Sequence, residues 1–191
     1  MRIVTWNVRG LVASDKRGML KRHLVKIAID IVLIQETKCI SEDIDKLIRF
    51  CKEWNGIFSP AFGRAGGLGI LWNPSLVNIT KSFEEKQGLS CQVQHRLSKL
   101  ELELWNIYGP TNSQEKAKLW EEIRNCIAKN GNKKIIIGGD FNVILELADK
   151  RGGIRKVTRD ILDFRNFIQK IEVVDCKPTD GWFTWNNRRQ G

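Results

Sequence analysis

Four short segments of this chain carry acidic, amide and phenol groups at or near the ends of apolar runs. They are Trp6-Asn7, Gln35-Glu36-Thr37, Asn106 to Pro110, and Gly138 to Asn142. A magnesium ion takes oxygen ligands, commonly one or two carboxylates, and keeps waters that a phosphate can replace. Glu36 follows the apolar run Ile31 to Ile34 and would stand at the C-terminal end of a strand, where ligands tend to bind. Asp140 and Asn142 are two apart, so a continuing strand would turn both to one face and Phe141 to the other, into the core. A charged and a neutral group side by side can hold a water next to a phosphate. The preceding Gly138 and Gly139 permit close backbone approach. Tyr108, the only tyrosine, can donate a hydrogen bond to charge developing on phosphate oxygen. Asn7 ends the first apolar run. Taken singly, each has an ordinary structural reading: a turn-forming Asn, a solvated Glu, a half-buried tyrosine, an Asx cap.

Other chemistries fail on the sequence. Gly66-Gly67-Leu68-Gly69 leads into a strand, where a phosphate loop should open a helix. There is no Gly-x-Ser-x-Gly, no His-x-x-x-His, and only two histidines, His23 and His95.

Strands are needed to deliver these groups. Ile3 to Val8 reads as a strand, and Ile31 to Gln35 as a wholly apolar one. Gly66 to Trp72, Val77 to Phe83, Leu89 to His95, Leu100 to Tyr108 and Lys133 to Ile137 each have a strand's length between turn residues. Helices are expected from Ser14 to about Ala28, from Ser41, from Ser113 to about Lys129, and from Thr158, with the serines as N-caps. Val173-Val174 and Trp182 to Trp185 read as short closing strands. Strand–helix–strand, then hairpins, then strand–helix–strand implies an α/β fold of two mixed sheets packed face to face, with helices outside.

The 191 residues suffice for one domain, and 42% apolar content with seven tryptophans argues against disorder. No apolar run approaches the roughly 20 residues that span a membrane, and Ile3-Val4-Thr5-Trp6 reads as a core strand rather than a signal peptide. The five cysteines are scattered, with no Cys-x-x-Cys. They read as reduced thiols of an intracellular protein and argue against a zinc site. A formal net charge of +10 favours polyanionic partners without choosing among them, and a generically solvated basic surface would look the same.

The four segments, together with Thr5 to Gly10, Ile34 to Lys38, Gly67 to Trp72 and Gly181 to Trp185, resemble the endonuclease/exonuclease/phosphatase superfamily, the DNase I-like enzymes. Within it the chain is most similar to the N-terminal endonuclease domain of plant LINE-type, non-LTR retrotransposon polyproteins. That resemblance implies a four-layer sandwich over residues 1–191 and Mg²⁺-dependent (or Mn²⁺-dependent) phosphodiester hydrolysis that nicks DNA. It implies Glu36 as metal carboxylate with Asn7 beside it, and Tyr108 on the scissile phosphate. Asp140 would orient the attacking water or assist the leaving group, Asn142 would fix the phosphate, and Thr184 would contact a phosphate oxygen. A downstream reverse transcriptase and a nuclear site of action would follow. Such domains close with further strands and a Ser-Asp-His segment that this sequence does not contain. A last-strands-missing domain, weak or inactive alone, is therefore the expectation. The alternatives are a non-catalytic nucleic-acid-binding remnant or another superfamily phosphodiesterase or phosphatase.

Overall fold

The computed structural model describes residues 1–26, 28–62, 65–85, 88–129, 131, 133–152 and 155–177. The chain divides into two units, Met1–Tyr108 with Asn132–Phe141, and Gly109–Gly131 with Asn142–Gly191.

In the first unit, β1 (Ile3–Asn7) pairs in parallel with β2 (Ile31–Gln35), across the helix α1 (Ser14–Lys26). β2 is buried at every position. Its side chains alternate between two apolar environments, which is why the segment is apolar throughout. Val32 and Ile34 join Leu20 and Leu24 of α1 and Leu47 of α2 (Ser41–Phe50) in one cluster. Ile31 and Leu33 face the other way, toward a second sheet. The first sheet is completed by β3 (Asn55–Phe62) and β4 (Ala65–Trp72), in the order β1-β2-β4-β3.

The second sheet runs β5 (Val77–Glu85), β6 (Gly88–His95), β7 (Glu101–Tyr108), β8 (Ile135–Asp140). Its first two pairings are antiparallel and β7–β8 is parallel. Leu89, Cys91, Val93, Leu102 and Leu104 pack against Ile31, Leu33, Leu68 and Ile70 of the first sheet. Two mixed four-stranded sheets thus share a dry interface, as the element order implied. Gly139 sits at φ +144, and a Cβ there would collide with the Ile107 carbonyl of the neighbouring strand, so glycine is required.

The second unit holds α3 (Ser113–Lys129) and α4 (Arg159–Lys170). Trp120 of α3 lies 5.0 Å from the Phe164 ring and 4.9 Å from the Phe167 ring of α4, centroid to centroid. Between the same helices, Lys116 donates to Asp160 at 2.7 Å with its own side chain almost fully buried.

Several expectations change. The Asn112 side chain, rather than Ser113, caps α3, accepting from the backbone N–H groups of Gln114 and Glu115 at 2.9 and 3.2 Å. Ser41 opens α2 but the cap position is Ile40, with no side-chain cap bond. Thr158 does cap α4, accepting from Ile161 N–H. β8 extends through both glycines to Asp140, beyond the expected end at Ile137. Val173-Val174 is not a strand, and Val174 is exposed. The expected strand Trp182 to Trp185 lies outside the described residues. β3 was not anticipated: Asn55, Gly56, Ser59 and Pro60 disguise it, and as an edge strand it tolerates a proline.

Candidate functional site

Alternation along the strands decides which side chains meet. On β7, Leu102 and Leu104 point to the inter-sheet interface, so Asn106 and Tyr108 share their face. On β2, Gln35 follows Ile31 and Leu33 in the same way. On β8, Gly138 abuts Leu33 and Thr5, which puts Asp140 on that face too. Asn7 is two residues beyond Thr5 on β1. The interface between the sheets is therefore apolar along most of its length and polar at the end where β1, β2, β7 and β8 all finish.

There the structure brings four of the expected residues together. Asn7 Nδ2 donates to Glu36 Oε1 at 2.7 Å and to Asp140 Oδ2 at 2.8 Å. The Tyr108 hydroxyl donates to Glu36 Oε1 at 3.1 Å. Two carboxylates thus converge on one amide, and a phenol joins them through Glu36. Like charges at such short range repel, and the amide donor between them offsets part of that repulsion. Lys38, which sequence reading did not single out, places its Nζ 3.9 Å from Glu36 Oε2.

Glu36 lies just past β2 and has φ +53, unusual for a residue with a side chain. Its loop is held from both sides. Gly10 N–H donates to the Glu36 carbonyl at 2.7 Å, and Leu11 N–H to that of Thr37 at 2.7 Å. From β4, the Gly67 and Gly66 carbonyls accept from the N–H groups of Thr37 and Lys38 at 3.1 and 3.0 Å. Gly67 leaves no room for a side chain beside Thr37, so the Gly-Gly-Leu-Gly run is explained by this support. Arg9 and Lys38 also have positive φ (51° and 55°), and such strained backbone tends to gather at functional sites.

Below this cluster runs a second polar layer. Gln35 and Asn106 are 1% and 0% exposed. Gln35 Nε2 donates to Asn106 Oδ1 at 2.6 Å and to Thr5 Oγ1 at 3.1 Å. Asn106 Nδ2 donates to the backbone carbonyls of Ile34 and Gly69 at 3.0 and 2.9 Å. Sequence reading included both residues in its segments but gave them no role. The missed signal is a fully polar amide at a position whose alternation points inward.

Asn142 does not extend the β8 alternation. β8 ends at Asp140, and Asn142 is left-handed at φ +49, so the expected shared face of a continuing strand fails. Within the second unit its Nδ2 donates to the Gly109 carbonyl at 2.7 Å. Thr184 lies outside the described residues. Neither histidine belongs to the cluster: His23 Nδ1 contacts the Met19 carbonyl, and His95 Nδ1 contacts Ser98 Oγ.

Among the described residues no three His, Cys, Asp or Glu side chains gather. Glu36 and Asp140 supply the one or two carboxylates Mg²⁺ commonly takes, with the Asn7 amide nitrogen bridging them, so the carboxylate pair fits. Zn²⁺, which prefers histidine and cysteine, is poorly matched.

Residues 4–191 match the sequence profile of the endonuclease/exonuclease/phosphatase family. Comparison with curated protein sequences gave no match. Among solved structures, the AP endonuclease LMAP from Leishmania major is similar at a TM-score of 0.68 and 16% identity, over 88% of this chain and 66% of that one. The 3'-5' exonuclease NExo from Neisseria meningitidis is similar at 0.66 and 18%, over 89% and 71%. TDP2 from D. rerio, solved with a single-strand DNA product, is similar at 0.60 and 22%, over 74% and 60%. This chain therefore spans about three fifths of the TDP2 chain. At these identities the likeness concerns the fold.

Proposed function

The chain belongs to the endonuclease/exonuclease/phosphatase family, and from that premise we propose that it is a divalent-metal-dependent phosphodiesterase that nicks DNA. The observation that carries the proposal is the meeting of Glu36 and Asp140 on the amide of Asn7, with the Tyr108 hydroxyl on Glu36. Glu36, with Asn7 beside it, would hold the cation, Mg²⁺ or Mn²⁺. When bound, the cation neutralises charge on the phosphate and on the leaving oxygen. Tyr108, freed from Glu36, donates to a non-bridging phosphate oxygen. Asp140 orients a water and takes its proton as the water oxygen bonds to phosphorus. The P–O3′ bond breaks, the 3′ oxygen takes a proton from solvent water, and Asp140 returns its own proton to solvent. Asn142 and Thr184 are assigned to the phosphate by family resemblance alone.

The motifs from Thr5 to Gly10 and from Asn106 to Pro110 favour the retrotransposon branch of the family. In that setting the freed 3′-hydroxyl primes reverse transcription by a further domain of the polyprotein, in the nucleus. The net charge of +10 supports a nucleic-acid substrate. A second reading is a nucleic-acid binder without turnover. One observation favours it: neither histidine stands at the cluster, so the water's proton falls to Asp140 without an imidazole partner.

Supercoiled-plasmid nicking with Mg²⁺ and with EDTA tests the proposal. Nicking that needs Mg²⁺ and falls at least ~10²-fold in Glu36→Gln and Asp140→Asn supports it. DNA binding without any nicking, unchanged by either substitution, supports the second reading.

A further inference from the structure

We propose that Asn106 and Gln35 are positioning residues that set the separation of Glu36 and Tyr108, acting as an amide lock between the two sheets. The inference rests on the metal-dependent reading of the cluster and deepens it. Glu36 and Tyr108 belong to different sheets, β2's exit and β7's last residue, yet must serve one phosphate, Glu36 through the cation and Tyr108 through a hydrogen bond. Apolar packing alone fixes such a distance loosely, because dispersion is non-directional and side chains slide. Hydrogen bonds are directional and fix it tightly.

The lock occupies the required place. Gln35 directly precedes Glu36, and Asn106 stands two residues before Tyr108 on the same face of β7. The Gln35–Asn106 bond crosses from one sheet to the other at 2.6 Å. The other end of Asn106 reaches the carbonyls of Ile34 and Gly69, which are directly opposite each other in the β2–β4 pairing. One side chain therefore joins β7 to β2 and β4 at the last rungs before the cluster. Gly69 is part of the strand whose glycine carbonyls also hold the Glu36 loop.

Both amides are 0–1% exposed. An apolar group at Asn106 would also take a donor from the Ile34 and Gly69 carbonyls, so the pair contributes stability as well as geometry. A buried polar network whose members are bonded fixes one arrangement, the expected form of a positioning device.

The test uses the single tyrosine. 3-Fluorotyrosine in the whole chain gives one ¹⁹F resonance, from Tyr108 beside Glu36. Mg²⁺ titration of the wild type is expected to shift it saturably, and Glu36→Gln is expected to abolish the shift. In the double variant Gln35→Met/Asn106→Leu the chain stays folded, the resonance is displaced before Mg²⁺ is added, and the midpoint for Mg²⁺ rises at least tenfold. Nicking by that variant falls in kcat, with KM for plasmid changed less than threefold. A folded double variant with wild-type midpoint and resonance overturns the lock. A wild type whose resonance ignores Mg²⁺ overturns the metal reading, and the lock with it. If the double variant does not fold, Gln35→Met alone, which keeps the Asn106 bonds to both carbonyls, must raise the midpoint at least threefold. An unchanged midpoint there overturns the lock.

Discussion

The Asn7 amide stands between two carboxylates and satisfies one oxygen of each. Without it, each carboxylate loses one donor, and Glu36 keeps the Tyr108 hydroxyl. Asn7→Ala is expected to lower stability by about 1–2 kcal/mol, more than a half-exposed asparagine would ordinarily contribute. Saturating Mg²⁺ is expected to restore part of that loss, because a cation can replace the donor. Urea unfolding with and without Mg²⁺ measures both effects, and an equal loss in the two conditions would detach Asn7 from the cation. Asn7, Glu36, Tyr108 and Asp140 were legible in the sequence because each ends an apolar run, and in this fold the ends of those runs converge. The direction of Asn142 was not legible, since a left-handed backbone after Asp140 breaks the alternation on which the inference depended. Gln35 and Asn106 could be read but not interpreted. An amide at a strand end looks the same whether it meets water or, as here, another amide from the facing sheet.

Among the elements, the α3–α4 pair carries its own electrostatics. The hydrogen bond from Lys116, then one from Ser113, hold the Asp160 carboxyl below its ordinary value of 3.8. A carboxyl depressed on folding stabilises above the unfolded value, and that contribution is lost as pH falls through the folded one. The helix pair is therefore expected to weaken in acid below about pH 4. Lys116→Met leaves Asp160 without its buried partner. It is expected to lower Tm by several degrees at pH 7 and by less at a second, acidic pH, where the carboxyl is increasingly protonated. Thermal unfolding followed by far-UV circular dichroism at the two pH values checks this, and a loss of equal size at both would mean that packing, not charge, is responsible. Helix extents were largely legible because their apolar faces repeat at helical spacing: Leu119, Trp120 and Ile123 on α3, and Ile161, Phe164 and Phe167 on α4. Caps were less so, since Asn112 and Ser113 are adjacent and both are capable of the role. β3 hid because its glycine serves packing: Phe58 lies across Gly56 and Gly69, and no alternation survives that exchange of side chains.

For the molecule as a whole, the cysteines report folding without a label. Burial raises the thiols of Cys39 and Cys51, and that of Cys91 is pushed up to about 12 by burial and then by the nearby Glu103 carboxylate. Cys126 is half-buried and Cys176 exposed. The thiolate is the reactive form. Alkylation at pH 8 is therefore expected to take Cys176 first and Cys126 next, and to reach Cys39, Cys51 and Cys91 at least ~10³-fold more slowly, at the rate of opening. Mass spectrometry of the time course reads all five, and prompt labelling of Cys91 would show a loosely packed interface. The same first unit is assembled from two stretches of chain, Met1–Tyr108 and Asn132–Phe141. Its last strand, β8, is thus made by the ribosome only after α3, and Asp140 is its final residue. A nascent polypeptide holds Glu36, Asn7 and Tyr108 long before it holds the carboxylate that would align the water. On the proposed chemistry, a growing chain holds no complete site, and the ability to cut arrives late in synthesis, with one strand.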